Sequence, residues 1–244
     1  MTGAAGYMAL SIAFAVALLL GAALLARAVR PAARAAAAGT DLRGMLAPFR
    51  QARFRSLFGV LLVNGVASSI PATLFLFFAG DRLRLGALAG LFLIVYFCAA
   101  ALSMPLWVSL ARRLGEARAW TFSMLASCLV FVWAYFLGEG AALAFGVICA
   151  LSGLALPPAL LAGVMKQAGQ SGRGEAACFG VWNWGVQLTL ALAAGIALPL
   201  LGWWGYVPGE HAGTAALAGA YALLPCLLKC VAASMLWRAP LRDC

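Results

Sequence analysis

Seven apolar stretches, each close to the length a helix needs to cross a hydrocarbon core, fill most of the chain: 7–25, 57–78, 85–110, 120–137, 141–165, 178–201 and 214–237. A bilayer core about 30 Å thick takes roughly 20 apolar residues as a helix, and lipid offers nothing to an unpaired backbone group. The pattern therefore specifies an all-α, polytopic membrane helix bundle of about seven transmembrane helices. Only 10% of the 244 residues are charged, against about a quarter in a soluble domain, so an aqueous fold could not cover this surface.

The net charge of +10 would suit nucleic acid if it formed a solvated face, but the basic residues sit in short gaps between apolar runs, so no nucleic-acid partner is expected. Placing the gaps alternately on two sides sorts the charge. One side receives Arg27, Arg30, Arg34, Arg43, Arg50, Arg53 and Arg55, then Arg112, Arg113 and Arg118, then Lys166, Arg173, Arg238 and Arg242, which is 14 of the 17 basic residues. The other side receives Arg82 and Arg84. Because positive residues are retained in the cytoplasm, the N-terminus is expected outside and the C-terminus inside, in a bacterial inner membrane. The first run is read as a span and not a cleaved leader: no positive charge precedes it, and its arginines follow it.

Four segments result: a first helix at 1–26, a basic cytoplasmic loop at 27–55, a six-helix bundle at 56–237 and a tail at 238–244. The loop's Ala and Arg content suits short helices on an anionic leaflet and suits a solvated linker equally. Five of the six later runs contain proline (Pro71, Pro105, Pro157 with Pro158, Pro199, Pro225). Bent helices suit a bundle that encloses a cavity, because neighbouring helices or water must satisfy the freed carbonyls. Gly86 and Gly90 have the spacing of close helix contacts. The seven cysteines form no CxxC pair and read as small packing residues. With His211 the only histidine, neither a metal cluster nor a His-based triad can be assembled.

All seven acids (Asp41, Asp81, Glu116, Glu139, Glu175, Glu210, Asp243) fall in gaps or at run ends. A cation pathway normally needs an intramembrane carboxylate, so the chain carries no coupling site of its own. Polar residues within the runs are few: Asn64, Ser68, Ser69, Thr73, Tyr96, Ser103, Trp182, Asn183, Trp184, Gln187, Thr189 and Lys229. Sugars are held by amide and hydroxyl hydrogen bonds with aromatic faces, and Trp182, Asn183, Trp184 and Gln187 offer both within two turns. Helix–helix bonding and interface anchoring are equally open to them. Lys229, two turns from the inner end of its run, is expected to extend its ammonium to the cytoplasmic surface.

The runs FRSLFGVLLVNGVASSIPATLFLFFAGDRL, PLWVSLARRLGEARAW, LALPPALLAGV and GRGEAACFGVWNWGVQLTLALAAGIALPLLGWWGYVPG resemble helices seven to eleven of the glycoside-pentoside-hexuronide:cation symporters, the melibiose-permease branch of the major facilitator superfamily. The resemblance extends over nearly the whole chain, with the first run matching helix six. It implies two six-helix halves that alternate access to a central sugar site, this chain supplying helices six to twelve. The first five helices, which carry the carboxylates for sodium or proton, would come from elsewhere. Substrate-binding residues are then Asn64, Tyr96, Trp182, Asn183 and Gln187, and gating residues Arg112, Arg113, Arg173 and Glu175, the last two matching the family's basic-x-acidic pair. Two departures stand out: Gln187 replaces a lysine common on helix eleven, and GVMKQ at 163–167 replaces an aspartate-rich DVVDY. No cofactor is implied beyond a coupling cation held mainly by the other half. The partners implied are the bilayer, a small solute, and either an N-terminal half or a second copy. A non-transporting scaffold or truncated remnant is the alternative. No enzyme is expected, since no nucleophile constellation or acidic motif is present.

Overall fold

A computed structural model of the chain describes residues 3–28, 47–155, 172–210 and 213–238. The chain divides into two compact units, Met1–Asp41 and Leu42–Cys244. The first holds one helix, α1 (Gly3–Ala28), with no acid in its first turn and Arg27 in its last.

Among the described residues the second unit is a bundle of six principal helices. They are α2 (Ala52–Phe77), α3 (Ala89–Leu114), α4 (Glu116–Tyr135), α5 (Ala142–Leu154), α6 (Gly172–Trp203) and α7, which runs as Thr214–Ala218, a π turn at Gly219–Leu223, and Leu224–Arg238. Among the described residues five helices are long and apolar enough to cross a membrane, Phe54–Arg82, Gly86–Leu114, Glu116–Tyr135, Gly180–Trp203 and Thr214–Arg238, while Phe14–Leu24 and Ala142–Leu154 are shorter apolar helices. The second half of the expected run at 141–165, with Pro157 and Pro158, lies outside the described residues, as do most of 27–55 and the tail 239–244.

Three apolar clusters fix how the helices alternate. Leu57 and Val60 from the start of α2 meet Trp107 from the end of α3, Trp120 and Met124 from the start of α4, and Ala232 and Leu236 from the end of α7. At the opposite end Leu74 and Phe78 meet Phe92, Leu137, Phe145, Leu201 and Tyr221. A third cluster joins Phe54, Phe58 and Leu61 of α2 to Cys178 and Val181 of α6. Small residues set the closest approaches, as expected where lipid removes the hydrophobic drive between helices. A Cβ on Gly65 of α2 would lie 2.5 Å from Thr189 Cγ2 of α6, and one on Gly153 of α5 would collide with the Tyr96 carbonyl oxygen of α3.

The pairings contain an internal symmetry. α2 packs on α6 and α7, α5 packs on α3 and α4, and α4 packs on α7. Exchanging the triplet α2–α3–α4 with α5–α6–α7 maps each of these contacts onto another or onto itself. The α3–α4 contact breaks this symmetry, having no α6–α7 contact of similar extent.

Two π turns break the helical register where α2 and α7 meet. One spans Phe78–Arg82 and the other Gly219–Leu223, and the Phe78 and Tyr221 rings they carry stack at 4.1 Å and 5°. Pro225 follows the second turn directly, and its ring would clash with the Tyr221 carbonyl of a regular helix. Widening the turn relieves that clash, and Leu224 N–H bonds instead to Gly219 O.

Candidate functional site

Asn64 and Ser68 stand four apart on α2 and so share a helix face. Across from them, Lys229 of α7 does not extend to the surface; it is turned inward, with 8% of its area exposed. Its Nζ donates to Ser68 Oγ at 2.9 Å and to Asn64 Oδ1 at 3.3 Å. In place of snorkelling, the ammonium reaches the oxygens that the short residues Asn64 and Ser68 offer across the α2–α7 contact. An ammonium has three donors, and these two bonds use two of them. The described acids Asp81, Glu116, Glu139 and Glu210 stand at helix ends or in connections, so no described carboxylate lies mid-span with this charge. Lys229 is the residue that sequence reasoning placed wrongly; its signal was that it is the sole Lys, Arg, Asp or Glu within a run.

The other candidates on α6 are arranged differently. Its buried stripe is Val181, Gly185, Thr189, Ala193, Ala197 and Leu201, at the i, i+4 spacing that faces α2. Asn183 and Gln187 lie two positions off that stripe, roughly 200° round the helix, and both are exposed, as is Trp184. The structure therefore does not bring them to Lys229. Trp182 is half-buried and packs against the clusters at the start of α2. Tyr96 of α3 is half-buried beside the larger aromatic cluster, its ring edge-on to Phe97 at 5.1 Å.

Arg112 and Arg113 end α3 and are exposed. Arg173 and Glu175 occur in the first turn of α6, where their side chains lie outside the described residues. Several hydroxyls in the spans are satisfied on their own helix: Thr73 Oγ1 donates to Ser69 O, Thr189 Oγ1 to Val186 O, Ser123 Oγ to Trp120 O. These residues are consequently poor candidates for gripping a solute.

At the opposite end of the bundle from the arginine-rich connections, Asp81 in the π turn after α2 accepts a short hydrogen bond from the Tyr206 hydroxyl and one of 3.1 Å from Gly209 N–H. Tyr206 also stands edge-on to Phe77 at 6.4 Å. Burial first, then the Asp81 hydrogen bond and charge, push the Tyr206 hydroxyl above the ordinary tyrosine range. The loop that delivers Tyr206 turns on glycines: Gly213 has φ of 73°, and a Cβ there would lie 2.5 Å from Tyr206 Cα.

Residues 1–243 match the family described as MFS/sugar transport protein. No curated protein matches the chain.

Proposed function

The chain belongs to the MFS/sugar transport family, whose work is to carry sugar-like solutes across a membrane, and from that premise we propose that it supplies the C-terminal half of a cation-coupled symporter for a small polar solute, a sugar or glycoside, working by alternating access. Within this reading it resembles the melibiose-permease branch, and the coupling cation binds mainly on the complementary half. That half is either an N-terminal six-helix partner or a second copy of this chain.

The observation that carries the proposal is the ammonium of Lys229 held between α2 and α7 by neutral oxygens alone among the described residues. A buried charge without a counter-ion is expensive, and inside a membrane such groups mark transport pathways. Asn64 keeps its amide N–H groups for a ligand, Lys229 keeps a third donor, and Ser68 stands exposed beside them. Donors and acceptors so grouped suit solute hydroxyls. Asn183, Gln187 and Trp184 form a second polar and aromatic face, which the proposal assigns to the cavity shared with the complementary half. Arg112, Arg113, Arg173 and Glu175 would form the inner gate.

The test is uptake of radiolabelled melibiose and a panel of monosaccharides into cells producing the chain together with an N-terminal half. Lys229→Ala and Ser68→Ala should each lower uptake at least tenfold, at unchanged membrane abundance. Uptake that survives Lys229→Ala unaltered would remove Lys229 from the pathway, and uptake of no sugar by any pairing would sink the transport reading.

A further inference from the structure

One turn and less from Lys229 lies a group of thiols that the transport reading leaves unused. Cys128 of α4 and Cys226 of α7, 98 residues apart in sequence, face each other where the two helices cross. Each thiol donates across the crossing to the other residue's carbonyl oxygen at 3.6 Å. α4 and α7 are the third helices of the two triplets and pack on each other. Cys230, one turn beyond Cys226, is exposed on the same face of α7 as Leu227 and Val231. That face is apolar and open to lipid.

A thiol cluster can hold a metal ion or form a disulfide. Among the described residues no group of three or more Cys, His, Asp or Glu is arranged to hold a metal, and the Lys229 cation beside the thiols opposes a second cation. Disulfide formation needs only two sulfurs that meet side by side. Of Cys226 and Cys230, Cys226 is the better placed partner for Cys128, since each of the two sulfurs reaches the other residue's backbone carbonyl.

We propose that Cys128 and Cys226 are a redox pair, closed into a disulfide between α4 and α7 by a lipid-soluble hydroperoxide. The peroxide oxygenates the half-buried Cys128 thiol: an S–O bond forms, the O–O bond breaks, and the peroxide leaves as an alcohol, giving a sulfenic acid. The Cys226 thiol then attacks that sulfur; the S–S bond forms, the S–O bond breaks, and hydroxide leaves with the thiol proton as water. Two thiols are oxidised by two electrons, and the hydroperoxide is reduced to alcohol and water. The bridge ties the two triplets together one turn from Lys229 and so restrains the motion of α7 against α4.

The experiment treats the full chain in phosphatidylcholine vesicles with cumene hydroperoxide, counts free thiols in SDS with a polyethylene-glycol maleimide, and maps bridged peptides by mass spectrometry. Two thiols should be lost and recovered with dithiothreitol, in one peptide pair joining the Cys128 and Cys226 segments. Cys230→Ser should keep that bridge and Cys226→Ser should lose it. A Cys128–Cys230 bridge, thiol loss without any bridged peptide, or no thiol loss would each overturn the proposal, and the wild-type peptide map alone decides if a variant fails to fold.

Discussion

Lys229, Asn64 and Ser68 show how one buried charge changes the value of its neighbours. Hydrogen bonds to a charged group contribute about 1–3 kcal/mol, whereas removing a buried charge altogether often costs little or stabilises. Asn64→Ala should therefore destabilise the bundle by about 1–3 kcal/mol when Lys229 is present, and by much less beside Lys229→Met. A double-mutant cycle from unfolding in mixed micelles checks this; equal effects of Asn64→Ala in both backgrounds would mean the 3.3 Å contact contributes nothing. Gly65 tests packing in the same way. Its Cβ would meet Thr189 Cγ2 at 2.5 Å, so Gly65→Ala should cost about 1–3 kcal/mol from overpacking, partly recovered by Thr189→Ala. At this scale the sequence announced that Asn64 and Lys229 were unusual but could not pair them. They are 165 residues apart, and periodicity says which face a residue shares with its own helix, not which helix stands opposite. The same limit hid Cys128 and Cys226, which composition alone presents as separate packing residues.

Among the elements, helix existence was legible and helix interior geometry was not. Apolar length alone locates α2, α3, α4, α6 and α7, because lipid leaves the backbone no other choice. The π turns were invisible, since they answer to Pro225 on one side and to the Phe78–Tyr221 stack on the other. The loop between α6 and α7 is the element whose anchoring has a measurable pH signature. Tyr206 titrates higher in the folded bundle than in the unfolded chain, where its value is about 10. A group raised on folding gives its full contribution below the unfolded value and loses it as pH climbs through the folded value. Wild type should therefore lose stability relative to Tyr206→Phe as pH rises above about 10, while below that pH wild type remains the more stable. Melting curves of both proteins between pH 8 and pH 11 (roughly the window set by the free phenol) measure the difference, and parallel curves throughout would show that the Asp81 bond is not felt.

For the whole molecule, the internal repeat and the charge distribution make independent statements about how the bundle sits in a membrane. The pairing pattern exchanges one triplet with the other, which by itself gives no preference for either face. Charge supplies it. Arg112, Arg113, Arg118 and Arg238 border one end of the bundle, while Asp81, Glu139 and Glu210 border the other, and positive residues near helix ends are retained in the cytoplasm. Under the proposed orientation the end built around Asp81 and Tyr206 faces outside, and the labelling of two positions tests it. In a background with the native cysteines replaced by serine, Glu210→Cys should react with a membrane-impermeant maleimide in intact cells. Arg113→Cys should react only after permeabilisation, because both positions are exposed in the bundle and the bilayer alone separates them. The reverse pattern would invert the assignment of inner gate to Arg112 and Arg113, since a gate on the cytoplasmic side cannot be labelled from outside. Labelling of both positions in intact cells would show a bundle that is not held in a single orientation, as expected if α6 with its exposed Asn183 and Gln187 has no complementary half to cover it.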